Sequence, residues 1–392
     1  MTRTRDLIDE AKQAALAVLL NNARKGRNGL PRTAAWGYPE PYTRDLLIGA
    51  LGILVSGNAE LVASLRLVLK TLAENQSERG QMPSLVDVPG DRGASDTTPL
   101  FLIALHLYRK ASGEAHFLAN AARKAHVWMS YQSPSDAVIV AQEPTSDWRD
   151  EQWVEGYGLF VNALVDCYLK LQGETARVAE LRAELPLLDV KLVSQSYIRK
   201  QLVSEDAPYF ALWAYKLHNS ERFDLLGNSL AILSGMADKT RARKIVAWVE
   251  RECDALTERG ELMLSLPPCL LPYIQEGDPD WRPRYAIYNE PGNYHNGGVW
   301  PFVCGFYVAA LVAAGRLPLA RQKLVALAEL VRPARNPEQP WGFNEWFKAQ
   351  DGKPHGQDWQ SWSASMFLYA AECVATESTP FLDELREDNS SP

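Results

Sequence analysis

Apolar residues recur every three to four positions in segment after segment, with almost no strict alternation between them, and this limits the chain to helices. Leu61, Leu65, Leu69 and Leu72, with Val62 and Val68 beside them, set the type. The same spacing predicts helices near residues 5–24, 44–56, 98–111, 115–131, 154–172, 208–217, 224–236, 240–256, 300–314, 317–332 and 360–376. The only β-like patches are short, such as Ala137-Val138-Ile139-Val140. About a dozen helices without a Pro/Gly/Ser-rich linker fit one toroidal domain, with antiparallel pairs stacked around a centre. The final stretch, residues 377–392, ends in Asp388-Asn389-Ser390-Ser391-Pro392 and is expected to fray.

Composition excludes several classes. With 41 Lys+Arg against 48 Asp+Glu the net charge is −7, and no basic stripe is present for nucleic acid. The longest uncharged apolar stretch, Trp300 to Ala314, is broken by Pro301 and Gly305 and is too short to span a membrane. Arg3, Arg5, Asp6, Asp9 and Glu10 mix both signs where a signal peptide would be basic, then apolar. Five scattered cysteines without a C-x-x-C pair fit a reducing, cytoplasmic setting. Nucleotide loops, H-E-x-x-H and G-x-S-x-G are all missing, and the six His show no metal-ligand spacing. No cofactor and no metal are expected.

The chemistry is concentrated between helices. Trp36-Gly37-Tyr38-Pro39-Glu40-Pro41-Tyr42-Thr43-Arg44-Asp45 precedes a helix, as does Gly93-Ala94-Ser95-Asp96-Thr97-Thr98-Pro99. Thr43 and Asp96 could each be simple N-caps, with Asp45 favoured by the helix dipole. That role leaves the aromatic cluster unexplained. Ser146-Asp147-Trp148-Arg149-Asp150-Glu151-Gln152-Trp153 interleaves three acids with two Trp and an Arg. Tyr294-His295-Asn296-Gly297-Gly298-Val299-Trp300-Pro301 offers His and Asn as directional hydrogen-bonding groups. The fifth connection holds Trp341-Gly342-Phe343-Asn344-Glu345-Trp346-Phe347 and then Asp358-Trp359-Gln360-Ser361-Trp362. Of the twelve Trp, eight lie in these connections. Aromatic faces beside carboxylates and amides suit a ligand with apolar C–H faces and many hydroxyls, which is a sugar.

Taken in order, these segments resemble the alkaline/neutral invertase family of glycoside hydrolases, family 100, and more broadly the (α/α)6-barrel glucosidases. Tyr42-Thr43-Arg44-Asp45 resembles the family's early R-D segment, and Gly80-Gln81-Met82-Pro83 its G-x-M-P stretch. Asp96-Thr97-Thr98 falls where a D-S motif is expected, and Trp148-Arg149-Asp150-Glu151 where the acid-bearing I-D-R-R lies. Arg222-Phe223 with Leu226-Gly227-Asn228 resembles R-F-x-x-L-G-N. Tyr294 to Pro301 is close to Y-H-N-G-G-S-W-P; Asn344-Glu345-Trp346-Phe347 resembles P-E-Y-Y, and Gln360-Ser361-Trp362-Ser363 resembles Q-T-W-S. The shared order runs over residues 36–365, nearly the whole chain.

The resemblance implies an all-α fold, one (α/α)6 barrel over residues 1–376. It implies an inverting glycoside hydrolase of a small α-glucoside, with Asp150 as general acid and Glu345 as general base. Arg44, Asp45, His295 and Gln360 map to sugar contacts. Trp36, Tyr42, Asp96, Trp148, Arg149, Asn296, Trp300 and Trp362 complete the expected substrate site, with Trp36, Trp300 and Trp362 as its walls. Asp147 and Glu151 are the reserve candidates for the acid. Where the family has H-P-L-E-I-Q, this chain has Gly156-Tyr157-Gly158-Leu159-Phe160-Val161-Asn162, and fewer residues separate the two carboxylates. Both departures bear on sucrose specificity, not on the hydrolytic machinery. A sugar 2-epimerase using His295 and His355, and a non-catalytic carbohydrate-binding barrel, are the rival readings. The expected partner is a small carbohydrate, not nucleic acid or membrane; self-association is left open.

Overall fold

The computed structural model describes residues 2–133, 137–184, 207–216, 218–336, 338 and 340–386. Among these, an inner ring is formed by Ala50–Ser56 (continuing Thr43–Ile48 across Gly49), Thr97–Ser112, Leu159–Leu171, Leu225–Leu233, Pro301–Ala313 and Ser361–Thr376. Each packs on the next, and the last packs back on the first, so the ring closes. Thr2–Arg24, Ala59–Glu74, Ala119–Ser130, Thr175–Glu184, Lys239–Glu258 and Leu317–Leu330 surround it.

The two layers follow from two kinds of helix. Pro301–Ala313 buries residues on every side, from Pro301 through Val312, as only an inner helix can. Lys239–Glu258 instead buries Ala242, Ile245, Val246, Val249, Cys253 and Leu256, a single stripe facing inward. No described helix is long and apolar enough to cross a membrane.

Several expectations are corrected. The segment around 208–217 is not a helix: Ala211–Tyr215 pairs with His218–Asp224, and Tyr157–Gly158 and Leu270–Leu271 flank them in one antiparallel sheet. A short run buried on both faces has no periodicity to separate strand from helix. The predicted helix 44–56 is two pieces meeting at Gly49, and Ala137–Val140 forms no strand. Residues 377–386 do not fray, because Leu382 and Leu385 are buried and Lys170 Nζ donates to the Leu385 carbonyl (2.8 Å). Residues 387–392 lie outside the described residues.

Buried asparagines stitch the connections to the ring. Asn162 accepts from Val140 N (2.8 Å) and donates to its carbonyl (3.0 Å), completing a pair as a neighbouring strand would. Asn228 does the same for Phe210, and Asn296 for Ile274.

Where the ring is tightest, side chains have no room. A Cβ on Gly52 would lie 1.9 Å from the Ser365 carbonyl oxygen, main chain that cannot step aside. Gly52→Ala should therefore cost about 1–3 kcal/mol by overpacking, read as a lower urea midpoint with an unchanged slope. A wild-type midpoint would show that the Gly52 and Ser365 helices can separate freely.

Candidate active site

The connections ahead of the inner helices meet at one end of the ring. Ser361 N donates to Thr33 O (2.9 Å), Ser95 N to Ser146 O (2.7 Å), and Arg149 Nη2 to Asp224 Oδ1 (2.6 Å). Thr43, Arg44 and Asp45 open one inner helix and Asp96 precedes another. Asp96 occupies the N-cap position yet caps nothing, because its carboxylate takes Arg44 Nε (2.5 Å) and Nη2 (3.2 Å). Tyr42, not Thr43, is the N-cap of its helix, and Thr43 Oγ1 is buried without a partner.

Arg44 also reaches Asp150, Nη1 to Oδ2 at 3.8 Å. The Asp150 side chain is 56% exposed, while its neighbours are sunk into the protein. Trp148 and Arg149 are buried, and Asp147 is buried with Oδ1 accepting from Arg149 N (2.7 Å) and Oδ2 from Gln142 (3.0 Å). Glu151 pairs with Arg284. Of the acids in this loop, Asp150 alone faces the opening beside Arg44; Asp147 is committed to the loop's own fold. Open on one side only, the Asp150 carboxyl is still partly desolvated by the protein around it, which raises it above its ordinary range, and Arg44 opposes the rise.

Glu345 lies at 5% exposure, its Oε2 accepting from Gln357 N (3.1 Å). Burial, reinforced by the charge of Asp45 and then by Asp150, pushes its pKa up to about 8. Asp45 is raised to about 7, chiefly by burial and against the pull of Arg44. The loop behind Glu345 is shaped around it. Gly356 has φ +70°, and a Cβ there would lie 2.2 Å from Glu345 Oε2. Tyr38 and Tyr294 are raised by burial, with contributions from both Asp150 and Glu345, so both hydroxyls share the carboxylates' field. Both tyrosines stand inside the aromatic motifs of the sequence, where residue type alone does not set them apart.

The tryptophans form two tiers. Trp148, Trp300 and Trp362 are buried with Phe302, Trp148 edge-on to Trp300 and Phe302 (5.4 Å each) and Trp362 stacked on Phe302 (4.1 Å, 14°). They form a buried aromatic floor, in which Trp300 and Trp362, expected as subsite walls, are packed against other aromatic rings. Trp36, 51% exposed against Trp359, and Tyr42 beside Tyr38 are the open aromatic surface.

Other expected ligands are turned inward. Arg149 lies over the Trp148 ring (4.3 Å) with its guanidinium on Asp224 and the Cys269 carbonyl (3.2 Å), away from Asp150's side of the loop. Asn296 spends its amide on Ile274 and the Asn289 carbonyl (2.8 Å), leaving nothing for a sugar. His295 is sandwiched between Tyr294 (4.0 Å) and Trp300 (5.3 Å), and burial holds it neutral, far below the ordinary imidazole range. Gln360 is buried and helps hold the Glu345 charge. Among the described residues no group of His, Cys, Asp and Glu is arranged to hold a metal ion.

The fold is that of the (α/α)6-barrel glycosidases. A Thermus thermophilus mannosylglycerate hydrolase of glycoside hydrolase family 63, in complex with Tris and D-glycerate, aligns with a TM-score of 0.61 at 16% identity, over 91% of this chain and 99% of that one. A glycosidase variant in complex with glucose aligns at 0.64 and 14% identity, over 94% and 97%. In sequence, residues 195–377 match the alkaline and neutral invertase family. Alkaline/neutral invertase C, mitochondrial, of Arabidopsis thaliana is 28% identical over 181 residues, 44% of this chain and 24% of that protein. Cytosolic invertase 1 of Oryza sativa subsp. japonica is 27% identical over 175 residues, 43% and 28%. The chain thus spans about a quarter of the length of these curated relatives. The resemblance to the invertases is borne out over 195–377, which contains Glu345 and His295; the segments carrying Arg44 and Asp150 lie outside that match.

The placement of Trp300 makes a stability prediction. Trp300→Ala should cost about 3–5 kcal/mol by emptying the aromatic floor, measured by chemical unfolding. Wild-type stability with a raised KM would return Trp300 to the subsite wall.

Proposed function

We propose that the chain is an inverting glycoside hydrolase of a small α-glucoside, with Asp150 as general acid and Glu345 as general base. One observation carries the reading. An open carboxylate, Asp150, stands 3.8 Å from Arg44, and the buried carboxylate of Glu345 lies near enough to be raised by its charge. Asp150 would give its proton to the glycosidic oxygen as the C–O bond breaks. Glu345 would take a proton from the water that attacks the anomeric carbon from the opposite face. Room for that water sets a carboxyl separation of about 6.5–9.5 Å. Arg44 and Asp45 would grip hydroxyls, and Trp36, Tyr38 and Tyr42 would line the entrance. Sucrose is the leading candidate because the sequence relatives are named invertases. Against the 2-epimerase, His295 is enclosed by Tyr294 and Trp300, and His355 stacks on Trp346 (4.5 Å). The exposed group beside Arg44 is a carboxylate.

Two measurements test this. Asp150→Asn and Glu345→Gln should each lose roughly 10²–10⁴-fold in kcat, and NMR of the first-formed product should show the β-anomer from an α-glucoside. Near-normal turnover in either variant, or first-formed α-anomer, would sink the assignment. The catalytic pair must also hold one proton between its two members. With Glu345 raised to about 8, the shared proton rests mainly on Glu345 and must shift to Asp150 for the pair to act; in either place it is present below this pH and lost above it. kcat/KM should therefore fall as pH rises through about 8, and fall again in acid as a second proton arrives. A rate still climbing above pH 9 would show that no proton donor is needed.

A further inference from the structure

Asp150 is placed by its main chain, since its exposed carboxylate makes no side-chain hydrogen bond among the described residues and its ion pair with Arg44 is long, at 3.8 Å. What holds that main chain is therefore part of the machinery. Upstream, Trp148 and Arg149 are anchored in the core, as described above. Downstream, the anchor is the segment 284–289. Asn289 is 1% exposed, and its Nδ2 donates to the Glu151 carbonyl (2.8 Å) while its Oδ1 accepts from His295 N (3.0 Å). Its own carbonyl takes Asn296 Nδ2 (2.8 Å). Tyr285, also buried, accepts from Trp153 N through its hydroxyl (2.7 Å). Arg284 adds a half-exposed ion pair with Glu151, which in water is worth little.

We propose that Asn289 is a positioning residue for the general acid, a crosspiece that ties the peptide after Glu151, one residue beyond Asp150, to the His295 loop. The inference rests on the reading of Asp150 given above. The physical argument is one of geometry. Both ends of the Asn289 amide are used, one on each loop, in a buried setting where an unmade hydrogen bond is costly. Removing the donor frees the Glu151 carbonyl, and the Asp150 main chain one residue upstream can drift with it. Proton transfer needs heavy atoms within about 2.6–3.2 Å, so a shift of an ångström costs rate at the bond-breaking step without a matching cost in sugar binding.

The test separates this from simple destabilisation. Asn289→Asp keeps the oxygen that accepts from His295 N but puts a second oxygen against the Glu151 carbonyl. Wild type, Asp150→Asn, Asn289→Asp and Tyr285→Phe are assayed on an unactivated α-glucoside and on α-glucosyl fluoride. Fluoride departs with little help from a proton donor, so a damaged acid spares this substrate. Asn289→Asp should lose at least roughly tenfold in kcat on the glucoside, with KM nearly unchanged and the fluoride rate within about threefold of wild type. Tyr285→Phe should show the same split to a smaller degree, and it carries the test alone if Asn289→Asp does not fold. Equal losses on both substrates, or no loss on either, would overturn the positioning role. If Asp150→Asn itself fails to spare the fluoride, the acid assignment falls; if it spares the fluoride and neither crosspiece variant does, only the crosspiece falls.

Discussion

The closed ring depends on helices that are apolar all the way round. A helix such as Pro301–Ala313 has no face to offer water, so it is stable only with neighbours on every side. Closing it into a ring with five other inner helices supplies those neighbours, and the outer helices with one apolar stripe finish the burial. The connections at the ends of the ring are thereby left to carry most of the polar chemistry, with Asp166 of an inner helix and its partners Lys170 and Arg182 an exception. At one end the free N–H groups of several inner helices come together, a setting that favours carboxylates. Asp45 and Asp96 sit at such helix starts, and Asp224 caps a third, accepting from Leu226 N at 3.0 Å.

Crowding carboxylates there has an electrostatic cost that the structure offsets unevenly. Asp96 is neutralised by a two-pronged contact with Arg44, and Asp224 by Arg149. Asp45 and Glu345 have no such pairing, and burial together with mutual repulsion raises both. The site therefore resists ionising all of its acids at once near neutral pH. A site that keeps a proton among several carboxylates is equipped to lend it, and Arg44, within reach of Asp150, decides how strongly that position competes for it.

The layout was legible in the sequence where a single periodicity governs. The helices near 61–72, 240–256, 300–314 and 360–376 appear within a few residues of their expected bounds, because their burial patterns are one-dimensional. Ala211–Tyr215 was not legible as a strand, since its pairing with His218–Asp224 is a tertiary fact. Residues 377–386 look like a polar tail, but they are pinned by Arg386, which donates to Thr379 and to the Leu233 carbonyl. At the mouth of the ring, residue type pointed to the right connections but not to the right direction. Nothing in Asn296 or Trp300 as letters says whether an amide or an indole faces a ligand or the loop beneath it. The tyrosines at 38 and 294 were hidden for the same reason, because only the fold brings their hydroxyls into the field of Asp150 and Glu345.

The two halves of the mouth differ in their relation to the invertases. The half that matches in sequence carries Glu345, the His295 loop and much of the aromatic floor. The other half carries Arg44, Asp96 and Asp150, and shares with the solved glycosidases a course of chain at identities that speak for the fold alone. An acid protonates the oxygen of the group that leaves, so if Asp150 is that acid the leaving group rests against the unmatched half. The segment after the acid loop is consistent with this. Where the invertases have an acid- and amide-bearing stretch, Tyr157–Gly158 here is a strand of the sheet, and the Asn162 amide is spent on Val140 and the Gly158 carbonyl. Groups tied into main-chain pairing are not free to read a sugar. Among the described residues the connections still present open side chains, the exposed aromatics Trp36 and Tyr42 and the partly exposed Tyr38 among them.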